Sequence, residues 1–216
     1  MPAEPWSDAV RMVGCLIVTA TVASPLLFVR GTVATAVRCW FVVTPAVLLL
    51  HAAVNAAFLA AGYEVEEHPL AKQTPHPAWL VAQACFLAPL IEELIFRGLV
   101  LLALRAVGEQ LTWLVLAASV GVAVYFGGPA PGVFAGMVAL GWIGARFCSI
   151  DHGVYGSSAL FAAVHSAVWP TPIPLFALGL GLGWVAVRTN GLLAPFLVHG
   201  LFNLVSVLFV LSGGAK

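Results

Sequence analysis

The stretch VAQACFLAPLIEELIFRGLVLLALRAV (81–107) is apolar over a length that an ordinary amphipathic helix does not sustain, yet it holds Glu92, Glu93 and Arg97 near its middle. A helix apolar on all its faces belongs in a protein core or a bilayer, and about 20 such residues cross the hydrocarbon. The remaining sequence decides between the two. Of 216 residues, 62% are hydrophobic and 8% charged, with a mean hydropathy of +1.04. A soluble domain carries about 25% charged residues. Nine Lys and Arg with nine Asp and Glu cannot cover a water-facing surface. Their zero net charge offers no basic field to a nucleic acid. Disorder is excluded by the abundance of aliphatic and aromatic side chains. The sequence therefore predicts an all-α, polytopic membrane helix bundle. Residues 1–216 form a single integral-membrane domain, multi-pass in the cell membrane, with membrane lipids around it and no nucleic-acid partner.

Working outward, the apolar runs predict about eight transmembrane helices: 10–29, 39–61, 79–105, 111–126, 133–149, 157–169, 175–187 and 192–212. The first is read as a retained span, because Glu4 and Asp8 accompany Arg11 and no small-residue cleavage site follows. YEVEEHPLAKQTPHP (63–77) is the longest soluble loop, GGPAPG (127–132) and WPTPIP (169–174) end helices, and RTNG (188–191) is a turn. Arg30, Arg38, Arg105, Arg146 and Arg188 collect on one side, against Arg11, Lys72 and Lys216 on the other. That bias places both termini outside the cytoplasm. Cys15, Cys39, Cys85 and Cys148 lie far apart in apolar runs without a CxxC pair, and are read as small buried hydrophobes. Gly179 and Gly183, with Gly132, Gly136, Gly141 and Gly144, are read as helix-packing positions.

Ionisable residues inside spans are expensive unless paired or functional. Glu93 and Arg97 share a helix face and can pair, whereas Glu92 lies about 100° around the helix and points elsewhere. His165 stands in LFAAVHSAVW, and His199 and Asn203 stand one turn apart on one face of APFLVHGLFNLVSVLF. Counted from the expected cytoplasmic ends, all three groups sit on the order of 12–20 Å deep at 1.5 Å per residue. Convergence in one cavity satisfies them together. His51 is read as a packing or cavity histidine, and His68, His76 and His152 as loop residues facing water.

A glutamate with an imidazole can take a proton from water, the general-base route to hydrolysis. A second imidazole and an amide can donate to an oxyanion. Arg97 either locks Glu93 or binds an anionic substrate group such as a carboxylate. The same atoms allow a second mechanism, in which Glu92, His165 and His199 ligate a zinc that activates the water. No HExxH is present.

EELIFRG (92–98), FAAVH (161–165) and HGLFN (199–203) match in order the EExxxR, FxxxH and HxxxN/D motifs of the CPBP family, also called Abi. That family includes the CAAX prenyl endopeptidases. LAPLIEE (87–93) and RTNGLLAPFLVHGLFN (188–203) resemble its pattern too, so the resemblance covers about 81–210. It implies an eight-helix intramembrane endopeptidase acting on a peptide or lipid-modified protein. By that analogy Glu92 with His165 activates water, His199 and Asn203 form the oxyanion hole, and Glu93 with Arg97 completes the first motif. The resemblance favours a metal-free glutamate mechanism over zinc. GARFCSIDHGVYGSSALF (144–161) is more polar and glycine-rich than such a span. Two competing readings are a non-catalytic membrane immunity or scaffold protein of the same fold, and a small transporter or proton relay.

Overall fold

The computed structural model describes residues 32–65, 77–126, 130–148 and 151–212, and within them all regular structure is helical. The expected span 10–29, with Cys15 and the loop residues His68 and His76, lies outside the described residues. The helices are α1 (Thr32–Ala60), α2 (77–107), α3 (Glu109–Phe126), α4 (Ala130–Cys148), α5 (His152–Ala163), α6 (Pro172–Thr189) and α7 (Leu193–Leu211). α2 is one continuous rod in which α-helical turns are interrupted by π-helical segments at Gln83–Leu87 and Leu94–Val100.

Among the described residues, α1, α3, α4, α6 and α7 are each an unbroken α-helix long and apolar enough to cross a membrane, five against the about eight spans expected. The outer surface carries many large apolar side chains, with Tyr125 85% and Phe147 83% exposed beside Phe41, Leu49, Leu99 and Leu114. Such a surface suits a hydrocarbon solvent. The expected sixth span, 157–169, does not form as drawn. Its helix starts earlier, at His152, and stops after 12 residues at Ala163. At 1.5 Å per residue that is about 18 Å, short of the hydrocarbon thickness. After it the backbone tightens into three-residue turns, His165 N–H to Ala162 and Ser166 N–H to Ala163, ahead of Pro170 and Pro172. His165 therefore sits in a turn, not in a helix.

α5 is the centre of the bundle, buried along ten of its residues, and this accounts for the polar, glycine-rich segment. A Cβ on Gly156 would meet Leu104 of α2 and Thr112 of α3, and one on Gly179 of α6 would lie 3.1 Å from the Ser158 backbone. Ser157 and Ser158 each return their hydroxyl to the Val154 carbonyl, so their polarity is satisfied within the helix. Asp151 caps α5, accepting from Gly153 N–H and Val154 N–H, while its other oxygen accepts from Arg105 at the end of α2. His152, expected in a loop facing water, is half-buried against the Leu104 carbonyl, 3.2 Å from Nε2. His51 is half-buried beside Asn55, 3.1 Å away.

Cys39 and Cys85 are buried as expected, but Cys148 is exposed at the end of α4. The glycines divide the same way. Gly141, Gly179 and Gly183 meet Tyr155, Ser158 and Val154, whereas Gly132, Gly136 and Gly144 face open space. Gly179→Ala should therefore destabilise by about 1–3 kcal/mol through overpacking. Gly136→Ala should be neutral or stabilising by about 0.5–1 kcal/mol, because alanine is the better helix former. Thermal unfolding in detergent checks the pair, and equal shifts would refute this account of the packing.

Candidate active site

α2, α5 and α7 bring the sequence-predicted residues together. Arg97 Nη1 donates to Glu93 Oε1 at 3.1 Å, one turn away on α2. His199 of α7 donates through Nδ1 to the same oxygen at 2.8 Å. Nδ1 carries a proton here, since a carboxylate paired to a guanidinium is an acceptor. Arg97 Nη2 donates to the Gly179 carbonyl of α6 at 3.1 Å, and its guanidinium lies 4.7 Å over the Phe161 ring. Glu93 is 1% exposed and His199 3%, so this triad is sealed from water. An ion pair in such a place holds only because hydrogen bonds and a cation–π contact surround it.

Glu92 occupies the wetter side. It is not turned away from Glu93's partners: the two adjacent carboxylates straddle one imidazole, with Glu92 Oε2 3.6 Å from His199 Nε2. Its other oxygen lies 4.0 Å from His165 Nε2. Glu92 is 25% exposed and His165 29%. His165 donates through Nδ1 to the Phe161 carbonyl at 2.7 Å, which leaves Nε2 as the nitrogen facing Glu92. A separation of 4.0 Å is too long for a direct hydrogen bond and suits a bridging water.

Asn203 is placed differently. Its amide donates to the Ala84 carbonyl on α2 at 2.8 Å, so one of its two N–H groups is committed to the backbone. Two contributors were not among the sequence-predicted site residues. Phe161 opens the FAAVH motif, yet its role emerges only in three dimensions, where its ring packs against Arg97, His165, His199 and Phe96. Gly179 looked like a packing glycine, and its carbonyl also anchors Arg97.

Glu92 turns one oxygen toward each imidazole, and among the described residues no three His, Cys, Asp or Glu side chains are grouped to hold a metal ion. The zinc alternative through Glu92, His165 and His199 therefore draws no support from the described residues.

Fold and site define an integral-membrane helical bundle with a carboxylate–imidazole centre in its interior. A family model described as Type II CAAX prenyl endopeptidase Rce1-like matches residues 74–151 and 151–205, well over half of the chain and every residue of the centre; the chain belongs to that family. The family is one of proteases, which makes peptidase the coarse class of activity. No curated protein and no solved structure gives a significant match.

Proposed function

We propose that the protein is an intramembrane endopeptidase of the cell membrane, hydrolysing a peptide bond in a membrane-associated or lipid-modified substrate. The observation that carries this reading is the division of one polar cluster into two parts. Arg97 and His199 are buried and each bonded to the buried Glu93, while Glu92 and His165 are partly open and separated by the width of a bridging water. Glu92 accepts a proton from that water, oriented by His165 Nε2, and the oxygen attacks the scissile carbonyl carbon. The proton then passes to the departing amide nitrogen as the C–N bond breaks. With both ring nitrogens protonated, His199 is held through Nδ1 by Glu93 and offers Nε2–H to the tetrahedral oxyanion, a contribution usually worth several kcal/mol. Asn203 acts with it on the same helix face.

The test uses detergent-purified protein and a library of fluorogenic peptides, with and without a C-terminal lipid, each in the presence and absence of a chelator. Cleavage that survives chelation is expected. Cleavage abolished by chelation and restored by zinc would replace the glutamate mechanism with a metal one. Without cleavage, and with no cellular phenotype for Glu92→Gln, the non-catalytic immunity or scaffold reading takes over.

A further inference from the structure

We propose that Asn203 is a positioning residue, which replaces a backbone donor that Pro89 removes and thereby holds the π-helical turn that aims Glu92 and Glu93. The inference rests on the proteolytic reading for its kinetic consequence only. Proline has no N–H, and its ring crowds the carbonyl four residues back. In α2 those facts fall on Pro89 and Cys85. The turn before Pro89 opens to the π form, with Ala88 N–H reaching Gln83 O, five residues away. In that register the carbonyl of Ala84 looks to residue 89 for its donor, and finds proline.

A buried carbonyl without a partner is costly, and the missing hydrogen comes from another helix: Asn203 Nδ2 donates to Ala84 O at 2.8 Å. One turn earlier on α7, Gly200 lets the backbones meet, because a Cβ there would stand 2.5 Å from the Cys85 carbonyl. His199, its neighbour, donates to Glu93. Three residues of α7 thus grip α2 between Ala84 and Glu93. An extra residue in a turn rotates everything after it by about 100° relative to an unbroken α-helix. The aim of both carboxylates therefore depends on the π turn staying open.

The test starts from a background of Cys15→Ser, Cys39→Ala and Cys148→Ser, in which the buried Cys85 is the remaining thiol. Asn203→Ala should raise the rate of Cys85 alkylation at least ~10-fold, because it loosens the local dock without global unfolding. It should also lower kcat at least ~10-fold with little change in KM, as displaced catalytic groups do. With Pro89→Ala added, residue 89 again carries an N–H. The same Asn203→Ala should then change Cys85 labelling less than about threefold and cost less kcat than in the parent, the remainder being its share of the oxyanion contacts, a coupling that independent sites do not show. Cys85 remaining as protected as in the parent protein, or an equal kcat loss in both backgrounds, overturns the proposal and leaves Asn203 a donor to the oxyanion alone. Labelling needs no substrate, so an absence of proteolysis and a failure of the positioning role are read separately. If Pro89→Ala does not fold, Gly200→Ala takes its place: it should also speed Cys85 labelling, and unchanged labelling refutes the dock.

Discussion

Glu92→Gln should yield a folded protein whose kcat is lower by about 10²–10⁴, the range that a positioned general base supplies. Glutamine keeps the shape and one acceptor oxygen but cannot take a proton from water. The fold should survive, because Glu92 is partly exposed and stands 3.6 Å and 4.0 Å from its two imidazoles, too far to be a structural tie. His165→Ala should reproduce the kinetic loss without adding to it in the double variant, since residues acting as a unit are not additive. Rates from the peptide assay, with thermal unfolding of the same samples, check both. Full activity in Glu92→Gln would move the base to Glu93 or remove the enzymatic reading altogether.

Arg97→Met should act on the fold first. The guanidinium is fully buried, with Glu93, the Gly179 carbonyl and the Phe161 face around it. Removing it strands a buried carboxylate that His199 alone must satisfy. Breaking such a pair from one side costs about 3–5 kcal/mol, and at about 2–4 °C per kcal/mol for a chain of this size the midpoint should fall by about 6–20 °C. Glu93→Gln should fall in the same range. Glu93→Gln with Arg97→Met together should be less harmful than the sum of the two, because no uncompensated charge remains. If Arg97→Met retained its stability and lost only cleavage, Arg97 would be a substrate-binding arginine and not the lock on Glu93.

The membrane class was legible at once, because hydropathy is a property of composition and needs no folding. Helix limits followed closely where Pro and Gly punctuate the chain: RTNG became a turn with Asn190 left-handed at φ 48°, its N–H and that of Gly191 closing α6. The expectation failed at α5, where a span over 157–169 was expected and the helix runs His152–Ala163. Gly153, Gly156, Ser157 and Ser158 are what a helix needs when neighbours press on it from several sides, and a central helix in a bundle need not reach either membrane face.

The site divides along the same line. By itself the sequence determined which ionisable groups must find one another, since charges and imidazoles in apolar helices have few affordable fates. It also determined the Glu93–Arg97 pair, because neighbours one turn apart share a helix face. The remaining assignments came from tertiary structure: His199 between the two carboxylates, Phe161 as the surface they share, and Asn203 on the Ala84 carbonyl. Each depends on the rotation and height of one helix against another. Those are set by the π turns of α2 and by the small residues that let α5, α6 and α7 close in, and periodicity along a single helix holds no record of either.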